Sequence, residues 1–272
     1  MIDWKKYFDH IYCIHSTLYP ERLENLINEL SRVNIYDSGI FSWKISSGDF
    51  INHIEYSDIN YIYDLDSINK TKLIDLSKNY VEIFEESLIN NYQRILIIED
   101  DIYFLKDLNL IETILDNLPE FDICKFDWNC FFTYTNQNEL GPMTIYDIGN
   151  INDYYCHYVW TTNTSIVGYS NRVMKYLIDK IKYFLGYNTM IPFDNIIARI
   201  CDIPNFSSYI PDNKQFLHQF IDNPDTFKLI LSKKHLAMQF GYEYYMPSDY
   251  ELADKYGEIY RINKNEYNYT EN

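Results

Sequence analysis

Residues 94–101 constrain this chain more than any other stretch. Arg94-Ile-Leu-Ile-Ile98 is a short apolar run of the length and β-branched character of a strand buried on both faces. It ends abruptly on three acids, Glu99, Asp100 and Asp101. Before it, Leu73, Leu76, Tyr80, Ile83, Phe84 and Leu88 recur at steps of three and four, which predicts an amphipathic helix over residues 70–91. A long helix leading into a strand of this kind is the repeating unit of a layered α/β domain with a largely parallel sheet.

The same alternation runs along the chain. Residues 11–14 read as a strand and 20–30 as a helix; 108–118 read as a helix closed by Pro119, and 121–126 as a strand. Residues 164–169 form another predicted strand and 171–185 another helix, and Pro192-Phe-Asp-Asn195 opens a short helix with Pro and Asp in its first turn. Residues 34–67 mix short β-like pieces with many Asp, Asn and Ser residues that suit turns and are expected to be irregular, and no long periodic pattern follows Phe240. The length of 272 residues fits one domain over residues 1–262, with a polar tail at 263–272 that is expected to fray.

Composition narrows the function classes. With 47% hydrophobic and 18% aromatic residues the chain is globular rather than disordered. A net charge of −17 speaks against nucleic acid as a partner, since holding it normally takes a basic face or groove, and no run of four Lys or Arg offers a hold on anionic lipid. Neither an N-terminal apolar signal core nor an uninterrupted apolar stretch of ~18 residues is present, so a cytoplasmic protein with no transmembrane segment is expected. The five cysteines are widely spaced and lack a C-x-x-C pair, which fits reduced core thiols.

The acidic triplet is the centre of the functional reading. In open α/β sheets ligands bind beyond the carboxyl ends of the strands, where this triplet falls. Strand alternation points Glu99 and Asp101 to one side and Asp100 to the other. Such a pair suits a hard cation, Mg²⁺ or Mn²⁺, which takes one or two carboxylates and completes its shell with substrate phosphates and water. The same residues also suit a turn cap or a solvated strand end.

Several segments together resemble glycosyltransferase family 25, which includes bacterial lipopolysaccharide galactosyltransferases and collagen galactosyltransferases. They are the opening strand with Arg22 on the helix after it, residues 76–101 ending in Glu99-Asp100-Asp101, residues 161–170 with the helix that follows, Pro192-Phe-Asp-Asn195, and Leu217-His218-Gln219. The family's Asn-Leu after the first strand is Ile14-His15 here, and residues 34–66 and 129–157 do not align. The resemblance implies a GT-A fold, that is, a Rossmann-like mixed, mostly parallel sheet flanked by helices. It also implies a nucleotide-sugar donor, UDP-hexose foremost, a divalent metal, inversion at the anomeric carbon, and a glycan or glycoprotein acceptor. Galactose and glucose are the hexoses expected.

Carried onto this chain, the resemblance gives Asp101 to the metal, with Glu99 or Asp100 helping through the ribose or a metal-bound water; His218, whose neutral imidazole suits Mn²⁺-like ions, is a candidate third ligand or diphosphate contact, with a structural role as its alternative. Arg22 approaches the nucleotide as a cation, and a surface salt bridge is its bland alternative. Asp194, at the start of the predicted short helix, is the candidate general base, and a helix cap is its alternative. Lys233, Lys234 and His235 are weaker phosphate or metal candidates, and Trp128, Tyr155, Tyr158 and Trp160 are possible sugar-stacking rings. Two other readings stay open: a catalytically inactive relative that binds carbohydrate or a partner protein, and a metal-dependent nuclease or phosphatase, which would need more converging carboxylates.

Overall fold

The computed structural model describes residues 1–46, 67–127, 151–157, 164–186, 227–234 and 236–239, the short pieces 60–61, 132–134, 140–142 and 189–190, and the single positions Phe193, Ile197, Glu266 and Asn268. The first half runs β1 (His10–Ser16), α1 (Arg22–Arg32), β2 (Phe41–Ser46), β3 (Asn60–Tyr61), α2 (Ser67–Ile89) and β4 (Arg94–Glu99). The second half runs β5 (Ile102–Phe104), α3 (Leu108–Asp116), β6 (Ile123–Lys125), β7 (Phe132–Tyr134), β8 (Leu140–Pro142), β9 (Tyr155–His157), β10 (Ile166–Ser170), α4 (Asn171–Gly186), β11 (Thr189–Met190), β12 (Leu229–Ser232) and β13 (Ala237–Gln239).

Seven strands form the main sheet in the order β2-β1-β4-β10-β6-β12-β9. β1 pairs in parallel with β2 and β4, and β12 with β6. β10 runs antiparallel between β4 and β6, and β9 antiparallel along β12, so five of the seven strands share one direction. The mixed, mostly parallel sheet flanked by helices is the architecture that the alternation of elements predicts.

Alternation along each central strand places apolar side chains on both faces. Ile11 and Cys13 of β1 and Leu96 and Ile98 of β4 pack with Leu26 and Leu30 of α1 and with Ile111, Ile114 and Leu115 of α3. Tyr12, Ile14, Ile95 and Ile97 face the other way, onto Tyr80, Ile83 and Phe84 of α2 and Val173, Leu177 and Ile181 of α4. Both sheet faces are thus covered by a helix pair, which explains why β1 and β4 read as unbroken apolar runs. At the middle of β10 a side chain on Gly168 would bring a Cβ within 3.1 Å of Phe121 and 3.2 Å of Phe8, so the two rings close over the strand because that position is bare. Cys13 and Cys124 are buried free thiols, as expected.

One expectation needs correction. Residues 34–67 contain β2, which pairs with β1 over six residues; its side chains are mostly only half-buried, as befits an edge strand, and an edge strand lacks the continuous apolar run that betrays a central one. In the tail, the Lys106 amide donates to Glu266 O at 2.8 Å and the Asn268 amide to Phe104 O at 3.1 Å. The Asn268 side chain also donates to Glu29, and Lys234 pairs with Glu266. Glu266 and Asn268 are thus tied to the core, and the other tail residues lie outside the described ones. Among the described residues no helix is long and apolar enough to cross a membrane.

Phe84 is fully buried, with its ring 5.1 Å from Tyr169 and 6.2 Å from Phe193. Phe84→Ala is expected to cost about 3–5 kcal/mol in urea unfolding. His10, stacked on Tyr92 at 5.0 Å, has its pKa lowered from 6.5 because burial disfavours the imidazolium more than nearby Glu86 favours it. The unfolded chain then binds the proton more readily, so stability falls as pH drops below 6.5 towards the lower folded value. His10→Gln is expected to flatten that slope, read from urea midpoints at neutral and mildly acidic pH.

Candidate active site

The chain leaves β1 through α1 to reach β2 on one side, then returns through α2 to β4 on the other side of β1. Strand order therefore reverses between β1 and β4, and connections diverging from two adjacent carboxyl ends leave a crevice between them. A cleft with a cavity volume of about 150 Å³ opens there. Ser16 ends β1, Ser46 ends β2 and Glu99 ends β4 at its floor, while Tyr19 and Arg22 reach it from the start of α1 and Asp75 from α2. Ligand pockets for small molecules usually enclose ~300–1,000 Å³, so the cleft formed by the described residues has room for only part of such a ligand.

The three acids have three different settings. β4 stops at Glu99, so alternation does not extend through the triplet; Asp100 and Asp101 lie on the bend that follows. The pair that converges is consequently Asp100 and Asp101: Arg22 Nη1 lies 3.0 Å from Asp100 Oδ1 and 3.2 Å from Asp101 Oδ2. Asp100 is 8% exposed, and its Oδ2 also accepts from His15 Nδ1 and the Ser16 amide, both at 2.8 Å. That carboxylate fastens the end of β4 to the end of β1. Glu99 turns the other way, accepting from Thr164 Oγ1 at 2.6 Å and the Tyr80 hydroxyl at 3.4 Å. Thr164 gets there because β10 is antiparallel and begins beside the end of β4, where Ser165 O accepts from the Glu99 amide at 2.8 Å.

Arg22 is a cation in the first turn of a helix, the unfavourable sign for the helix dipole. Burial also works against its charge, but Asp101 and Asp100 outweigh that and raise its pKa, and the Tyr19 ring lies 4.2 Å away. The cleft lining carries four carboxylates against this one guanidinium, a formal −3. Below it, burial pushes the Cys13 thiol well up, and Asp100, Glu99 and Asp101 push the same way. The Tyr80 hydroxyl is likewise raised, by burial first and then by Tyr169 and Glu99, so it stays a neutral donor.

Of the residues singled out from sequence, Arg22, Glu99, Asp100 and Asp101 meet in one cleft. Asp194 and His218 lie outside the described residues, as do His235, Trp128, Tyr158 and Trp160. Phe193 is buried, its ring 3.8 Å from that of Tyr80. Tyr155 is a core residue whose hydroxyl donates to Ile114 O at 3.0 Å. Lys233 donates to Asn152 O and Lys234 pairs with Glu266, and neither lines the cleft. His15, Ser46 and Asp75 were not foreseen. Asp75 left no readable trace, because α2 also buries Ser77, Asn79 and Ser87; His15 left none either, because its role depends on a partner 85 positions away.

Among the described residues no three His, Cys, Asp or Glu side chains are grouped to hold a metal by themselves. Two carboxylates do converge on a single positive centre, which fits Mg²⁺ or Mn²⁺ only if a bound phosphate supplies further oxygens.

No protein-family model matches the chain, and no curated protein sequence is similar to it. Among solved structures, A197 from STIV is similar at 10% identity and a TM-score of 0.29, over 66% of this chain and 80% of that one. The glycosyltransferase GlyE of Streptococcus pneumoniae TIGR4 is similar at 12% identity and a TM-score of 0.32, over 94% of this chain and 61% of that one, so the chain spans less than two thirds of GlyE. Likenesses this faint assign neither fold nor activity, which rest on the residues themselves.

Because Asp100 accepts from three donors on β1 and α1, Asp100→Ala is expected to lower stability by about 1.5–3 kcal/mol. Tyr80→Phe, which deletes one donor to Glu99, is expected to cost about 0.5–1.5 kcal/mol. Urea unfolding of both variants tests this ranking, and a costlier Tyr80→Phe would reverse it.

Proposed function

We propose that this protein is a glycosyltransferase that moves a hexose from a nucleoside diphosphate to a hydroxyl of a glycan or protein acceptor, with inversion. The observation that carries the reading is the acid-lined cleft at the reversal of strand order, where Asp100 and Asp101 share Arg22. Ligands of open α/β sheets bind at such a point. A formal charge of −3 would repel a diphosphate entering alone. A divalent cation would lower that charge to a formal −1 and would put a positive centre beside Arg22 for the phosphates to meet, which is why the reading includes a metal.

In this reading Asp101 holds Mn²⁺ or Mg²⁺, and the cation, when bound, offsets the charge that develops on the departing diphosphate. Arg22 sits between the carboxylates and the positive end of α1 and meets the phosphates. Asp100 orients Arg22, and Glu99 is fixed by Thr164 and Tyr80 to face the nucleotide. Asp194 takes the proton of the acceptor hydroxyl, and His218 completes the metal shell. These two roles, the UDP-hexose donor and membership of glycosyltransferase family 25 rest on the residue resemblance.

The purified protein is expected to show a raised thermal midpoint with UDP-hexoses and Mn²⁺, but not with EDTA or with CMP-sugars, because a ligand that binds only the folded state stabilises it. Asp101→Ala is expected to abolish that shift, whereas Asp194→Ala should keep the shift and lose transfer. A flat response to every donor would replace the transferase by a carbohydrate- or partner-binding protein without catalysis.

A further inference from the structure

His15 is a buried residue to which the mechanism above gives no task. It is the last residue but one of β1, and it does not line the cleft. Its Nδ1 lies 2.8 Å from Asp100 Oδ2, and its ring meets that of Trp43 on β2 edge-on at 6.2 Å. A carboxylate oxygen accepts, so the ring nitrogen facing it carries the proton and donates. His15 stands where the Asn-Leu of the resembling family is replaced by Ile14-His15, so the resemblance assigns it nothing.

The two oxygens of Asp100 divide their donors. Oδ2 takes His15 and the Ser16 amide, both from β1, whereas Oδ1 takes Arg22, whose Nη1 also reaches Asp101 Oδ2 at 3.2 Å. Two donors on one oxygen set the plane of the carboxylate, because each prefers to approach near a lone-pair direction. Arg22 is thereby left a single oxygen of Asp100, and its guanidinium spans two carboxylates instead of closing on one. Guanidinium and carboxylate otherwise favour a paired, two-bond contact. With the Ser16 amide alone on Oδ2, the carboxylate is free to turn about Cβ–Cγ, a broad torsion, and to take Arg22 in that closed form. Such a contact draws Arg22 away from Asp101.

Resting on the donor reading above, we infer that His15 is a positioning residue for diphosphate binding, which holds Asp100 so that Arg22 stays shared with Asp101. Nη1 then serves the two aspartates, and the remaining N–H groups of the guanidinium serve the phosphates. His15 acts through the carboxylate alone.

Calorimetric titration of UDP in the presence of Mn²⁺ tests this role. His15→Leu is expected to bind UDP roughly three- to tenfold more weakly, the size of one ordinary hydrogen bond. His15→Asn, whose amide nitrogen stands at the same reach from Cβ as Nδ1, is expected to restore binding close to that of the wild type. If His15→Leu fails to fold, His15→Gln takes its place, since its amide extends past that position, and the same loss is expected. Arg22→Lys keeps a charge for the phosphates but lacks the fork that two carboxylates share. In that background the loss from His15→Leu should largely disappear, because a residue that acts through the guanidinium has little effect once the guanidinium is gone. A merely structural role predicts a loss undiminished beside Arg22→Lys, and that result, or unchanged binding by His15→Leu, would overturn the assignment and leave the donor reading intact. Absence of UDP binding by the wild type would overturn both.

Discussion

The carboxylate of Asp100 holds the site together. It takes one hydrogen bond from the His15 ring, one from the Ser16 amide and one from Arg22, and so joins the ends of two neighbouring strands to the start of the helix between them. Divergent connections at a reversal of strand order tend to splay apart, and here a single buried acid bridges them. The geometry of Asp101 follows from it, since Arg22 is shared and the two aspartates are adjacent in the chain. A charge so well satisfied is suited to holding other groups in place, while its neighbour at the cleft lining is suited to meeting a ligand.

That arrangement in turn needs a rigid floor. β1 and β4 can place their last residues reproducibly because each is clamped by a helix pair on both faces, α1 with α3 on one side and α2 with α4 on the other. Close packing of this kind leaves side chains few alternative positions. β10 adds something a wholly parallel sheet could not. By running backwards it brings its own first residues to the carboxyl-end crevice, and Thr164 thereby grips Glu99 from the far side.

The parts legible in the sequence are those that depend on short-range pattern. The helix at Ser67–Ile89 and the strand at Arg94–Glu99 both showed in apolar spacing, and the acidic triplet marked the strand's end. Pattern could not say that the strand stops at Glu99, and this reassigned the converging pair from Glu99 with Asp101 to Asp100 with Asp101. β2 escaped because an edge strand mixes polar and apolar residues, and His15 escaped because its role is defined only by a carboxylate far along the chain. Asp75 escaped because α2 buries other polar residues too, Ser77, Asn79 and Ser87, and only Ser46 beside it marks it out.

The buried Glu29 of α1 draws its donors from widely separated stretches: Arg32 within its own helix, the Phe104 amide at the end of β5, and Asn268, 239 positions downstream. Closing so long a loop costs chain entropy before any contact repays it, and folding slows as contacts become more distant in sequence. The helix that carries Arg22 is therefore among the first elements synthesised and among the last to receive all of its partners. Assembly of the cleft and completion of the chain are coupled in time, so a protein interrupted before residue 268 would present Arg22 to Asp100 and Asp101 from a helix still missing one of its anchors.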